Sequence, residues 1–396
     1  MSLLPVDEAV ERLLAGVEPL TPEHVPLAEG LGRALAGDVA ARLTQPPFPA
    51  SAMDGYAVVA ENAAAGARLK VVGMSRAGER FTGALRPGEA VRIFTGAPVP
   101  DGADSILIQE NAERDGDAIE VLEPVAAGKH IRRAGLDFRA GEVLLQEGRV
   151  LDARALALAA SMGHAELPVR RRPRVAVLAN GDELVPAGTE PGPDQIVSSN
   201  NVGLAAFVCE LGGEPISLGI APDRRDEIGA FVERSADADV LVIAGGASVG
   251  EHDLVQAALT DKGMALDFWR IAMRPGKPLM VGRLGAMRVL GLPGNPVSTL
   301  VCGHIFLKPL VRAMLGLPTA PDIASARLGT AMGENGNRQD YVRARLKMVD
   351  GERVVTPFGV QDSSMLATLT AADALVIRPV RAPAAAAGES VPVLLL

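Results

Sequence analysis

Cysteine is almost missing from this chain: Cys209 and Cys302 are the only two in 396 residues. They form neither a disulfide framework nor a CxxC motif, which fits a reducing cytoplasm. Each sits in an apolar helical stretch and reads as a small buried hydrophobe. Aromatic residues are scarce too, 3% of the chain, so the cores must rest on Ala, Val and Leu. The five histidines, at 24, 130, 164, 252 and 304, are scattered. With no HExxH and no Cys/His cluster they give no zinc site, and His252 and His304 read as structural. A P-loop is lacking, because Pro278 follows Lys277, and neither a GxGxxG after a strand nor a GxSxG elbow occurs. An excess of basic charge is lacking as well. The net charge of −9 argues against non-specific nucleic-acid binding. The one basic cluster, Arg170 to Arg174, reads as a solvated linker. The amino terminus carries acidic residues instead of the basic region of a leader. The apolar run 297–315 contains His304, Lys308 and Arg312, and so reads as a buried helix with no membrane span. A soluble cytoplasmic protein is expected.

What is present is glycine, 43 residues, and proline, 29, within a chain that is 48% apolar and 22% charged, hence globular. Its length suggests two to four domains. Residues 5–43 read as short helices broken by Pro and Gly. From 56 to 147 short β-like runs alternate with Gly, Pro and Asp turns, and 152–162 reads as a helix with Asp152 as N-cap. After residue 174 strands and helices alternate: strands at 174–179, 215–219 and 240–244, helices at 200–211, 224–235 and 253–262. That rhythm predicts parallel β-α-β units and a sheet covered on both faces. Short β-like runs return after 326.

Three glycine-rich blocks fall in the α/β region: Gly245 to Asp253, Arg274 to Pro278, and Gly291 to Ser298. Each follows or closes an apolar strand-like run. Ligands of open α/β sheets sit beyond the carboxyl ends of the strands, and peptide N–H groups in such turns cradle anions. A phosphorylated small molecule is therefore the expected ligand. Carboxylates stand beside glycines at loop positions, in Asp54–Gly55, Gly135–Asp137, Gly181–Glu183 and Gly250–Asp253, and such hard oxygen donors suit Mg²⁺ held together with phosphates. Taken singly, Asp54–Gly55 reads as a turn, Asp223 and Asp253 as helix N-caps, Glu183 as a loop charge, and Pro293 and Pro296 as strand and helix ends.

Taken together, eight motifs in order change that reading. They are Ser51–Ala57, Ile93–Ala97, Ile131–Asp137, Gly181–Leu184, Ser199–Asn200, Gly245–Asp253, Arg274–Pro278 and Gly291–Ser298. Along essentially its whole length the chain resembles the MoeA family of molybdopterin molybdenumtransferases, related to the gephyrin E domain. The resemblance implies a multidomain α/β and β protein. A helical segment (1–43 and 139–169) would carry an inserted β-rich domain (44–138), followed by an α/β/α molybdopterin-binding domain (170–320) and a β-barrel (321–396). It implies that molybdenum from molybdate enters adenylylated molybdopterin, with Mg²⁺ assisting and AMP released. Position by position, it implies catalytic roles for Asp54, Thr95, Asp137, Glu183 and Asp253, with Glu183 and Asp253 as Mg²⁺ ligands. Substrate contacts carry over to Asp223, Gly245, Gly246, Ser248, Gly250, Arg270, Arg274, Lys277, Pro293, Asn295, Pro296 and Ser298. A homodimer is implied, with each active site shared between subunits. The chain departs from the family pattern at Ala244 and Asn180, where Thr or Ser is usual, at Ala247 (usually Val) and Arg274 (usually Lys), and at Asp362 and Ser364, where glycines are typical.

Two other functions compete. A molybdopterin adenylyltransferase would use the same α/β domain but would not need residues 1–169. A non-catalytic scaffold of the gephyrin kind would bring a fused second domain and a long linker.

Overall fold

The computed structural model describes residues 3–245 and 254–396, which divide into two compact units. One unit comprises residues 24–31 and 37–168. Its centre is a six-stranded sheet in the order Ser105–Ile108, Gly55–Val58, Glu89–Ile93, Arg68–Ser75, Ala118–Val121, Ala112–Asp115. Side chains alternate across it with the period of two that strands impose. Tyr56, Val58 and Leu107 fill a core on one face, while Ala57, Val91, Ile93 and Ile106 fill a core on the other. The helix Ala153–Ser161 begins as expected, with Asp152 Oδ1 accepting from Ala155 N at 2.8 Å.

The expectation of several short helices over 5–43 is corrected. Only Val6–Leu14 is α-helical; Leu27–Glu29 is a 3₁₀ turn, and Pro22–Pro26 and Val39–Ala40 are strands. Pro19, Pro22 and Pro26 interrupt the chain too often for another helix to nucleate. Val6, Ala9 and Leu13 form an apolar stripe that packs with Leu310, Val311 and Met314. The first helix thus belongs to the second unit, apart from residues 139–168.

That second unit comprises residues 1–23, 32–36 and 169–396. Its α/β sheet has the order Glu214–Ala221, Arg174–Asn180, Val240–Ala244, Met287–Leu292, Met280–Leu284, Ala265–Phe268. The first four strands are parallel, as the strand–helix rhythm predicts. Met280–Leu284 alone runs against the others, antiparallel both to Met287–Leu292 and to Ala265–Phe268, which corrects an all-parallel reading. Only Gly285 and Ala286 separate Met280–Leu284 from Met287–Leu292, too few residues for a crossover, so a hairpin is the only connection available. Val175, Val177, Val240, Val242 and Leu290 face the helices Asn200–Glu210 and Pro296–Cys302, and Ala176, Leu178, Leu241 and Ile243 face Arg225–Glu233 and Leu254–Asp261.

The apolar stretch Pro296–Met314 is long and apolar enough to cross a membrane, yet 67% of its most apolar window is buried in this core. It runs as α-helix, a π-turn at Gly303–Leu307 and α-helix again. Burial against Phe207, ring centroids 4.6 Å apart, pushes the His304 imidazole down to about 4. Cys302 is buried as expected, but Cys209 is exposed. The arginine cluster is no solvated linker either. Arg171 makes a bidentate pair with Asp239 at 2.8 and 2.9 Å, and Arg170 and Arg172 donate to the carbonyls of Leu20 and Gly212.

The last five strands close a barrel in the order Gln339–Val349, Glu352–Pro357, Ile323–Leu328, Ser390–Leu395, Ala374–Arg378, with Ala374–Arg378 pairing back on Gln339–Val349. The short strand Met273–Arg274 joins the barrel edge in parallel, placing Arg274 opposite Asp340.

Candidate active-site cleft

Four loops leave the carboxyl ends of the four parallel strands side by side, because Asn180 is in register with Ala221, Ala179 with Ala244, and Ala244 with Leu292. They bring Gly181–Glu183, Pro222–Asp223, Gly245 and Pro293–Pro296 to one edge of the sheet, as ligand sites in such folds require. Together with the Arg274–Pro278 loop and two barrel segments, 338–343 and 361–364, they line a cleft of about 920 Å³.

The loops are tied to one another. Asn180 Nδ2 donates to the carbonyls of Ala221 and Pro222 at 3.1 and 3.3 Å, and Asp182 Oδ1 accepts from Asp223 N at 3.0 Å. Gly245 has φ +100°, and a Cβ there would lie 2.4 Å from Asn180 O. Its lack of a side chain therefore serves the packing of neighbouring backbone. The Arg274–Pro278 loop rests on the buried Cys302, whose Sγ lies 4.0 Å from Gly276 O. On the opposite wall Asn200 Nδ2 donates to Gly294 O at 2.7 Å. Asn295 Nδ2 donates to Ser363 Oγ at 2.8 Å, and Ser363 O accepts from Val297 N at 3.1 Å, so the barrel caps the helix that begins at Pro296.

Of the residues expected in the site, Glu183, Asp223, Gly245, Arg274, Lys277, Pro293, Asn295, Pro296 and Ser298 line the cleft. Gly246, Ser248, Gly250 and Asp253 lie outside the described residues. Arg270 does not line the cleft; its guanidinium lies 4.9 Å above the Trp269 ring. Arg274 is not an unpaired cation, for it forms an ion pair with Asp340, whose side chain is only 7% exposed. Lys277 is exposed and makes no hydrogen bond or ion pair with a described residue.

Sequence reasoning missed the barrel wall. Arg343, 2% exposed, donates to the carbonyls of Asp362 and Met365 at 2.9 and 3.1 Å and to Gln361 Oε1. Burial lowers the pKa of this guanidinium from its ordinary value. Asp362 Oδ1 accepts from Ser364 N and Oγ at 2.9 and 2.6 Å, which holds its carboxyl below the usual range and shapes the loop where the family pattern has glycines. Arg338 and Asp340 also line this wall. No local signal in the sequence marks them as cleft residues.

The remaining expected residues belong to the other unit, where Asp54 and Thr95 are in contact. Asp54 Oδ1 accepts from both Thr95 N and Thr95 Oγ1 at 2.8 Å. These bonds, the backbone one foremost and with Arg92 adding attraction, hold the Asp54 carboxyl below the usual range. Arg92 donates to Gly55 O and Gln109 Oε1 and lies over the Tyr56 and Phe94 rings at 5.1 and 4.9 Å. Ile131 pairs with Ser51 and Arg132 with Ala50, while Asp137 N donates to Gln45 O at 3.0 Å and the residue is exposed.

Comparison with known proteins accounts for nearly the whole chain. The profile of the MoeA N-terminal region (domain I and II) matches residues 4–163, that of a probable molybdopterin binding domain matches 176–313, and that of the MoeA C-terminal region (domain IV) matches 325–396. Molybdopterin molybdenumtransferase 2 of Mycobacterium tuberculosis is 36% identical over 97% of this chain and 96% of its own length. The molybdopterin molybdenumtransferase of Haemophilus influenzae is 34% identical over 98% of both. The crystal structure of the molybdopterin biosynthesis MoeA protein from Pyrococcus horikoshii superposes with a TM-score of 0.86 at 32% identity, over 100% of this chain and 99% of that one.

Proposed function

Since the chain belongs to the MoeA family and is a molybdopterin molybdenumtransferase of molybdenum cofactor biosynthesis, we propose that it inserts molybdenum from molybdate into adenylylated molybdopterin with release of AMP. The observation that carries this reading is the division of charge in the cleft. Glu183 and Asp223 stand on the loops of the α/β strands, while Lys277 and the Arg274 loop form another part of the lining. Substrates that are themselves anions need the cationic side, through charge-assisted hydrogen bonds to phosphate and molybdate oxygens. Carboxylates repel oxyanions and suit the opposite role, taking and returning protons as molybdate sheds oxygen.

The same carboxylates test whether Mg²⁺ fits. Glu183 and Asp223 are hard oxygen donors on two loops joined by the bond from Asp223 N to Asp182 Oδ1, and Mg²⁺ commonly takes one or two carboxylates plus phosphate oxygens and water. The donor chemistry fits, with Asp253 a further donor by resemblance. When bound, Mg²⁺ would polarise the anhydride and neutralise charge on departing AMP. Of the chain's own groups, Lys277 would bind oxyanion, and the Asn295–Ser363 bond keeps the Pro293–Pro296 loop in place.

We further place the protein in the cytoplasm as a homodimer whose cleft is completed by Asp54, Thr95 and Asp137 of the partner subunit. The resemblance supports this arrangement. The reaction is tested by measuring AMP release and molybdenum transfer from adenylylated molybdopterin with and without molybdate. AMP release that ignores molybdate, or no turnover by folded protein, refutes it. The shared site is tested by mixing Asp54→Ala and Asp253→Ala subunits. One intact site per mixed dimer should restore about half of wild-type activity, and mixed dimers as inactive as either parent would refute sharing.

A further inference from the structure

We propose that Arg92 is a positioning residue of the active site, the one that keeps the Asp54 carboxylate aimed together with Thr95. The proposal rests on the transferase reading, in which Asp54 takes part in the reaction, and adds to it a residue that neither motif nor resemblance assigned. Arg92 lies in the strand Glu89–Ile93, directly opposite Tyr56. Its guanidinium forms no ion pair among the described residues. It bridges two oxygens instead, Nη1 donating to Gly55 O at 3.1 Å and Nη2 to Gln109 Oε1 at 2.9 Å. The Tyr56 and Phe94 ring centroids lie 5.1 and 4.9 Å from its central carbon, so ring faces and hydrogen bonds together hold the planar group.

These contacts close a ring around Asp54. Gln109 N donates to Asp54 O at 3.1 Å, Asp54 Oδ1 accepts from Thr95 N and Oγ1 at 2.8 Å, and Thr95 follows Arg92 by three residues. The Ser51 end of the turn is tied separately, by Ser51 N to Ala97 O at 2.9 Å and Gly96 N to Ser51 O at 2.8 Å. Arg92 holds the other end, the peptide that follows Asp54. Gly55 has no side chain to anchor that peptide and no room for one, since a Cβ would lie 2.0 Å from Leu107 O. Gln109 Nε2 lies 3.4 Å from Glu110 Oε1, which leaves the amide oxygen turned to the guanidinium. A lysine would keep the charge but, as a single point, could not bridge Gly55 and Gln109. The precision matters, because a displacement of about 1 Å in a reacting group can cost a hundredfold in rate.

The experiment is NMR of the full-length protein carrying ¹³C-labelled Asp and ¹⁵N-labelled Thr, with molybdate-dependent AMP release measured in parallel. The variants are Arg92→Gln, Arg92→Lys and Gln109→Ala, with folding checked by circular dichroism. In Arg92→Gln the Asp54 carboxyl should titrate at higher pH than in wild type. The Thr95 amide should exchange with solvent about tenfold faster, as for one weakened hydrogen bond. The kcat should fall about tenfold with KM within about twofold. Gln109→Ala keeps the charge and loses one anchor, so the same changes should appear to a smaller extent. Arg92→Lys should restore the titration in part while Thr95 exchange stays fast and kcat low. Full recovery of all three by lysine overturns the proposal, because charge alone would then suffice. Wild-type titration and Thr95 exchange in folded Arg92→Gln overturn it too, as does a shifted titration with unchanged kcat. Should Arg92→Gln not fold, wild-type values in Gln109→Ala overturn it. The NMR measurements need no turnover, so they stand apart from the reaction itself. A wild type without molybdate-dependent AMP release would count against the transferase reading instead.

Discussion

Removing Arg274 should cost more stability than removing its partner. The pair is lopsided: the Arg274 side chain is 61% exposed and that of Asp340 7%. Arg274→Ala leaves a buried carboxylate with no cation, and a buried charge stripped of its partner loses several kcal/mol in a dry site. Solvent on the arginine side moderates that figure to about 2 kcal/mol here, between the buried and exposed limits. Asp340→Asn releases a guanidinium that is already mostly in water, at a cost of about 1 kcal/mol or less. Adding Asp340→Asn to Arg274→Ala should therefore restore about 1 kcal/mol, because the stranded charge is gone. Trp269 is the only tryptophan and lies in the same compact unit, so its fluorescence during urea unfolding reports on this region. Equal losses in the two single variants, or a double variant no more stable than Arg274→Ala, would refute the reasoning.

Other consequences concern protons and backbone. Thr95→Ala keeps the backbone donor to Asp54 but removes the hydroxyl, so the Asp54 carboxyl, followed by ¹³C NMR, should titrate at higher pH than in wild type while remaining depressed. His304 is held neutral, its value lowered to about 4, so its contribution is complete above about pH 6.5 and is lost as pH falls toward 4. Over that window wild type should lose up to about 3 kcal/mol more than His304→Gln in unfolding followed by Trp269, and parallel pH profiles would refute it. Gly55→Ala would put a Cβ 2.0 Å from Leu107 O inside the six-stranded sheet, and should open that unit to limited proteolysis while the Trp269 signal stays native.

The parts of the site that could be read from sequence are those with short-range signals. Glycine and proline after apolar runs mark loops at strand ends, and the four parallel strands deliver them to one edge, as with Gly181–Glu183 and Pro293–Pro296. The hairpin of the α/β sheet had a signal too, two apolar runs separated by Gly285 and Ala286, which the strand–helix rhythm obscured. The stripe Val6, Ala9 and Leu13 announces a buried face but cannot say which helix covers it. Arg338, Asp340 and Arg343 had no local signature. They reach the cleft because Met273–Arg274 joins the barrel edge more than sixty residues later in the chain, a pairing set by tertiary packing.

That long-range pairing also explains how a chain of net charge −9 can accept a polyanion. Net charge governs distant encounter, but within the cleft a Debye length of about 10 Å leaves only nearby groups to matter. There Asp340 cancels Arg274, Ser364 engages Asp362, and the carboxylates Glu183 and Asp223 belong to the strand-end loops. Lys277 and Arg338 are left as the unpaired cations among the described lining residues. The exchange of roles follows from geometry: the arginine that stands in the recognisable motif is held by the barrel, while the arginine outside every motif is left with its donors unused.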